Sequence, residues 1–312
     1  MKRTAAVAAL VAAGALSLLG LAGCGGTSQA ADDGTTLTFA AIPSEQSADA
    51  AMKYGNLTKL LQKRTGRQVK FVKSTNYNAV IEGMVSGRID VAEFGPLSYV
   101  LAKHNGAKIT PVVSLAPKNA PATYFSYGLV PKGSPVTGVA GFRGKKVCFV
   151  DPSSTSGYLF PTAQLKKSGL NPQKDITPIF AGGHDTSALS VKSGKCDVGF
   201  ADSMMVDQIL PGKGAIKKGD LKVVWKSTPI PNDPLTVRDD LPADVRKKIG
   251  DALVRDANKP GLVRLGICKN EATCTITSDT TIWGTKPVTD KTFDPIRTVC
   301  AATQDKQCTS GG

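Results

Sequence analysis

Four hydroxyl-bearing residues in succession, Ser153, Ser154, Thr155 and Ser156, lead into Gly157 in the stretch VDPSSTSGYLFP, residues 150–161. The apolar run Val147 to Val150 stands before them, and a helix-like stretch follows. A helix start presents unpaired backbone N–H groups and about half a positive charge. One hydroxyl is enough to cap it. Four, with a glycine that lets the backbone come close, point to a bound anion. A second junction, Phe180-Ala181-Gly182-Gly183-His184-Asp185-Thr186, has the same form. Its glycines leave room and His184 can donate to an oxyanion, while Asp185 or Thr186 can equally be a plain cap. Thr75-Asn76-Tyr77-Asn78 and Phe94-Gly95-Pro96-Leu97-Ser98 occupy comparable turns, and Tyr77 offers a hydroxyl there. No catalytic set accompanies these donors. Ser156 has no base in a triad order, His104 and His184 permit neither a zinc site nor a histidine-rich phosphatase site, and no Walker-type loop occurs. Fixed donors without a nucleophile suit capture of a tetrahedral oxyanion, not chemistry on it, so neither an enzyme nor a cofactor is expected.

The elements that must position these residues follow from periodicity. Thr36 to Ile42 reads as a strand, about Asp49 to Arg64 as a helix closed by Gly66, and Val69 to Val72 as a strand. Asn78 to Ser86 reads as a helix, Ile89 to Phe94 as a strand, and Pro96 to His104 as a helix. This β-α-β-α-β-α order is that of a doubly wound parallel unit. The pattern restarts with a strand at Lys146 to Val150, a helix at Ser156 to Ser168, and a strand at Ile176 to Phe180. A short helix at Thr186 to Ser193 and a strand at Asp197 to Phe200 complete it. The fold class expected is therefore α/β, with two doubly wound lobes joined by extended crossings at Tyr124 to Val130 and Val223 to Thr228. The division expected is 36–127 with 228–312 as one lobe and 128–227 as the other. Ligands of such sheets collect at the carboxyl ends of strands, where the hydroxyl run lies.

The chain opens with Met1-Lys2-Arg3 and an apolar run from Ala5 to Ala22, the layout of a secretory signal over 1–23. Its Leu21-Ala22-Gly23-Cys24 ending resembles the lipobox of bacterial lipoproteins, which implies acylation of Cys24 and a flexible tether over 24–35 beginning Gly25-Gly26-Thr27-Ser28. The rival is an uncleaved transmembrane anchor, since the run approaches the ~18-residue threshold. Lipid would hold the soluble part on the extracytoplasmic face of the membrane. Six further cysteines, Cys148, Cys196, Cys268, Cys274, Cys300 and Cys308, suit disulfides in an exported chain. Metal ligation is the weaker alternative, because no CxxC occurs. Spacing favours Cys268–Cys274 and Cys300–Cys308, which leaves Cys148–Cys196. The first strand of a doubly wound unit commonly lies between the second and third, so strands 146–150 and 197–200 would be neighbours, within disulfide reach. The formal charge of +14 falls to about +12 without Lys2 and Arg3. Its scattered lysine pairs favour small anions and anionic headgroups and give no nucleic-acid stripe.

Four segments together resemble the phosphonate-, phosphate- and phosphite-binding proteins of ABC importers. They are TNYNAVIEGMVSGRIDVAEFGPLSYVLA (75–102), DPSSTSGYLFP (151–161), FAGGHDTSALSVKSGKCDVGFAD (180–202) and VVWKSTPIPNDP (223–234). The resemblance implies the type II periplasmic-binding fold, two lobes closing on a phosphorus oxyanion, and a monomer that meets an ABC permease and its ATPase. It implies that Ser154, Thr155, Ser156 and adjacent amides bind the phosphoryl oxygens, that Tyr77 and His184 complete the shell, and that Asp233 is the family's acidic residue. Gly157 and Asp202 are further candidates within the matching segments. A carboxylate at Asp233 can read a P–OH group or an ammonium and disfavour sulfate, although Asn232-Asp233-Pro234 is also turn chemistry. Two departures bear on the ligand. Some relatives carry a tyrosine where this chain has Phe94, and aminoethylphosphonate binders carry a glutamate where it has Met204. The ligands expected are phosphite, phosphate or a small alkylphosphonate. The alternative role is a sensory or partner-regulating lipoprotein that uses the same cleft.

Overall fold

A computed structural model describes residues 34–46, 50–277 and 280–308. The leader, Cys24 and all but the end of the expected tether lie outside the described residues. The first sheet takes β1 (Thr36–Ala41), β2 (Gln68–Lys73), β3 (Val91–Glu93), β4 (Ile109–Ala116), and later β12 and β13. Two short strands, β5 (Thr123–Tyr124) and β11 (Ile230–Pro231), pair antiparallel, with Tyr124 opposite Ile230. Between them the chain builds the second sheet from β6 (Ser126–Pro131), β7 (Lys146–Phe149), β8 (Thr177–Phe180), β9 (Val198–Asp202) and β10 (Leu221–Lys226). β12 (Pro234–Arg238) and β13 (Gly284–Pro287) then return to the first sheet. The orders are β13-β4-β12-β3-β1-β2 and β10-β6-β9-β7-β8. Within them β1, β2 and β3 are parallel, as are β7, β8 and β9.

This is the α/β architecture that the alternation of strand and helix patterns predicts. β1 sends Leu37 and Phe39 into one core and Ala40 into another, because a parallel strand covered by helices on both faces has no polar side to show. Three differences from the sequence reading have physical causes. The helix expected over about 49–64 is broken at Tyr54 into Ala50–Lys53 and Gly55–Thr65. There the buried Tyr54 ring stacks on Phe71 and meets the edge of Phe39, and its hydroxyl donates to Glu93. Second, the segments expected as crossings, 124–130 and 223–228, are mostly β6 and β10, which pair with each other inside the second sheet. The crossings are β5 and β11. A continuous apolar run reads the same whether it crosses between sheets or lies buried within one. Third, β4, β12 and β13 have no counterpart in the sequence reading. β12 joins by antiparallel pairing to both β3 and β4, a long-range choice that local pattern does not encode.

The consequence for function is local. Helices begin at Tyr77, Pro96, Thr155 and His184, directly after β2, β3, β7 and β8. The Thr155 start is a π-helical turn, Thr155–Leu159, that runs into the α-helix Phe160–Lys167. All four helix N-termini face one crevice between the sheets.

Three disulfides join the pairs that spacing and topology predict. Cys148–Cys196, Cys268–Cys274 and Cys300–Cys308 have Cα separations of 5.9, 5.5 and 5.6 Å. β7 lies between β8 and β9, as the doubly wound order requires. The Cys148–Cys196 bond closes the longest loop of the three, with a sequence separation of 48. Replacing both cysteines by alanine is expected to lower unfolding free energy by about 2–5 kcal/mol, read as a lower midpoint in denaturant titration of the oxidised protein.

Candidate functional site

The crevice closes around a cavity of about 50 Å³. Tyr77, Ser154, Thr155, His184, Asp202 and Asp233 all line it. Tyr77 is the first residue of its helix, whose cap is Asn76: the Asn76 Oδ1 accepts from the Ala79 N–H at 2.8 Å. That cap sets the phenol among the cavity-lining groups on the side of Ser154 and Asp151 of the second sheet.

The hydroxyl run is oriented by what its oxygens accept. Ser154 Oγ accepts from the Gly157 N–H at 3.0 Å. Thr155 Oγ1 accepts from the Leu97 N–H, across the crevice, at 2.8 Å. An oxygen that has taken a backbone proton leaves its own O–H to point elsewhere, here to cavity-facing partners. Ser156 is buried and does not line the cavity. Its hydroxyl meets the Tyr124 hydroxyl and its carbonyl accepts from Ser126 Oγ at 2.6 Å. Gly157 also lies behind the lining. A Cβ there would sit 2.4 Å from Val150 and 2.8 Å from Ser154 Oγ, so glycine lets the loop pack on β7. Phe94 is buried in the core and its ring is not part of the lining.

His184 is held as a neutral donor. Its Nδ1 accepts from the Asp202 N–H at 3.0 Å, which leaves the ring proton on Nε2. Burial pushes its pKa below the ordinary value, outweighing the opposing Asp202 and Asp185 carboxylates. The 3.5 Å separation from Asp202 Oδ2 is therefore no ion pair, since Nδ1 already accepts. Asp202 is itself tied by the Met205 N–H, which donates to Oδ1 at 2.7 Å.

Asp233 sits between β11 and β12. No hydrogen bond reaches its carboxyl from the described residues. It is half-buried and opens onto the cavity, where desolvation pushes its pKa well above the carboxylate range, followed by repulsion from Glu93 and Asp202. Burial likewise raises the Tyr77 and Tyr124 phenols, so both are protonated donors at neutral pH.

Lys53, Glu93, Tyr124 and Met204 also line the cavity. Of these, Lys53, Glu93 and Tyr124 escape a motif reading. Glu93 left a trace, being a carboxylate at the end of the otherwise apolar strand Val91-Ala92-Glu93. Tyr124 supplies a hydroxyl from β5 on the side of Ser156 and Thr155, where Phe94 supplies none. Lys53 left no trace, because one lysine in a basic chain is unremarked.

The model of a known family, the periplasmic phosphonate substrate-binding protein of ABC transporters, matches residues 39–269. This chain belongs to that family. Its members bind substrate for an importer outside the cytoplasm and are not enzymes. The phosphate-import protein PhnD of Mycolicibacterium smegmatis is 44% identical over 88% of this chain and 87% of its own length. The phosphonates-binding periplasmic protein of Escherichia coli is 28% identical over 72% and 67%. In fold, the chain is similar to a phosphonate-transporter binding component from Pseudomonas aeruginosa, with TM-score 0.75 at 22% identity over 89% of both chains. It is also similar to PhnD1 from Prochlorococcus marinus in complex with methylphosphonate, with TM-score 0.74 at 19% identity over 87% and 99%. The fold of this family member is accordingly the type II periplasmic-binding fold.

The state of His184 has a direct test. An unfolded histidine has a pKa near 6.5 and this one lies lower when folded. The unfolded chain therefore binds more protons, and stability contributed by the neutral ring is complete above about pH 6.5 and lost as pH falls. Ring-nitrogen NMR at about pH 6 is expected to show His184 neutral with the proton on Nε2, where a free histidine is mostly charged.

Proposed function

We propose that this family member captures a small tetrahedral phosphorus oxyanion that carries a P–OH group, inorganic phosphate foremost, and hands it to an ABC permease. The observation that carries this reading is the unpartnered Asp233 carboxyl facing the donors Tyr77, Ser154, Thr155 and His184 across one small cavity. Four charge-assisted donors contribute roughly 6–12 kcal/mol gross at ~1.5–3 each, against about 8 for micromolar affinity. A cavity of about 50 Å³ is a few times the ~10–15 Å³ that accepts one water. It suits an anion of a few heavy atoms and leaves no room for a long substituent. In its ionised form Asp233 accepts a P–OH proton and repels an oxygen that has none. Met204 lines the cavity at the place where the family resemblance puts an amine-binding glutamate in aminoethylphosphonate binders. The printed name of the relative in M. smegmatis, a phosphate-import protein, favours the same ligand.

The β5–β11 ladder is the proposed hinge, a few residues from the 127/128 and 227/228 divisions expected from the sequence. Closure brings Tyr77 on one lobe against Ser154 on the other. Calorimetry with phosphate, phosphite, methylphosphonate, 2-aminoethylphosphonate and sulfate tests the ligand. Phosphate is expected to bind at micromolar Kd or tighter and sulfate at least about a hundredfold more weakly, the worth of an ionised acceptor left facing an oxygen. A sulfate Kd equal to that of phosphate defeats the proposal.

We further propose that the mature protein is anchored by lipid on Cys24, on the lipobox-like Leu21-Ala22-Gly23-Cys24. Cys24→Ser is expected to move the protein from the membrane fraction to the soluble fraction. Unchanged fractionation would reject the anchor.

A further inference from the structure

The cavity holds more acids than bases. Glu93, Asp202 and Asp233 line it beside a single lysine, Lys53, and His184 is neutral. A site for an anion with that balance needs protons from somewhere. Glu93 lies in the family-like segment 75–102, and the resemblance gives it no role. It ends β3, and β3 pairs antiparallel with β12, Glu93 opposite Leu235. The Phe94 N–H donates to the Pro234 carbonyl at 3.0 Å. That register delivers Asp233, one residue before Pro234, to the same end of the same strand pair as Glu93. One Glu93 oxygen accepts from the Tyr54 hydroxyl.

We propose that Glu93 is a specificity-determining residue, which shares one proton with Asp233 and makes the pair a reader of how many P–OH groups the ligand brings. The inference rests on the phosphorus-oxyanion reading above and deepens it. With one proton between them, one carboxyl donates to a ligand P–O oxygen and the other accepts from a ligand P–OH. Hydrogen phosphate presents both. Sulfate presents no proton, so the ionised carboxyl faces a ligand oxygen. Two ionised carboxylates side by side beside a bound anion repel each other and the ligand.

The groups facing the pair set its proton occupancy. Lys53 and the Tyr54 hydroxyl, from the helical segment around residues 50–65, hold Glu93 toward ionisation, while burial raises it. Asp202, from β9, and Glu93 itself raise Asp233, with Lys53 opposing. Glu45, in the loop after β1, faces the Tyr54 side of the pair and is itself bonded to Lys213 of the opposite lobe. Because Glu93 and Asp233 are raised in the folded protein, they retain a proton above the range where free carboxylates lose theirs.

The test is calorimetry of phosphate and sulfate binding to the intact mature protein, in buffers of different ionisation enthalpy, from about pH 5.5 to about pH 8.5. Glu93→Gln keeps the shape and removes the titration. It is expected to cut the preference for phosphate over sulfate at least about tenfold, one charge-assisted hydrogen bond, and to change the number of protons exchanged on binding. Tyr54→Phe leaves the cavity lining intact and removes a donor that favours ionised Glu93, so the inflection in phosphate affinity is expected at higher pH. This second variant carries the test should Glu93→Gln not fold. Selectivity within about twofold of wild type with an unchanged proton count in Glu93→Gln, or an unmoved inflection in Tyr54→Phe, overturns the proposal. So does tighter binding of 2-aminoethylphosphonate than of phosphate, lost in Glu93→Gln, which would make the pair an ammonium site. Failure of the wild-type protein to bind any phosphorus oxyanion would instead reject the functional reading on which the inference rests.

Discussion

A cavity for an anion, lined by three carboxyls and one ammonium, is possible only if every hydrogen in it is placed. Charge alone would expel the ligand. The Thr155 Oγ1 that accepts the Leu97 N–H across the crevice shows how placement is achieved. The backbone N–H takes one of the hydroxyl oxygen's two acceptor positions and leaves the hydroxyl proton to donate elsewhere. Ser154 is arranged in the same way by the Gly157 N–H, and His184 by the Asp202 N–H. In each case a rigid main-chain donor converts a side chain able to donate or accept into a donor. Such preorganised neutral donors stabilise an oxyanion without the desolvation cost of a buried cation.

Those main-chain donors come from helix starts and strand ends, which ties the chemistry to the fold. Parallel β1–β2–β3 and β7–β8–β9 place the succeeding helix N-termini at one level, and the two sheets face each other across the crevice. The β5–β11 ladder brings two more cavity residues from the connections themselves. Tyr124 lies on β5, and Asp233 lies in the two-residue link between β11 and β12. The proposed hinge at that ladder therefore places Tyr124 and Asp233 where any movement between the two sheets would act on them. Contacts at the mouth act in the same sense. Ser44 accepts from the His184 N–H at 2.9 Å, and Gln46 reaches the Gly182 carbonyl and the Asp185 carboxylate. The His184 helix start is thus completed by groups from the loop after β1, on the first-sheet side of the crevice.

Much of this was legible in the chain. The hydroxyl run at Ser153 to Ser156, the glycine-rich turn before His184 and Tyr77 after Asn76 are local signals, because a helix start needs small or capping residues in sequence order. The β-α alternation and the pairing of Cys148 with Cys196 follow from the same local periodicity joined to a general rule of strand order. Ser156 and Gly157 belong to that signal, yet their parts differ. One turns its hydroxyl to Tyr124, and the other is a glycine because Val150 and Ser154 leave no space for a Cβ. A run of similar residues reveals that a site exists and does not say which members face it.

The sequence by itself determined the fold class, the strand-to-helix turns that carry the donors, and the disulfide framework, since each depends on residues close in the chain or on neighbours within one βαβ unit. Only the tertiary structure decided that Glu93 stands beside Asp233, that Tyr124 faces the hydroxyl loop, and that Lys53 reaches the same cavity. Glu93 and Lys53 are 140 and 180 positions from Asp233, and Tyr124 is 32 from Ser156; contacts at such separation are set by sheet order, for which a local pattern carries no code. The net charge of the pocket, and hence the form of ligand it can hold, belongs to that second group.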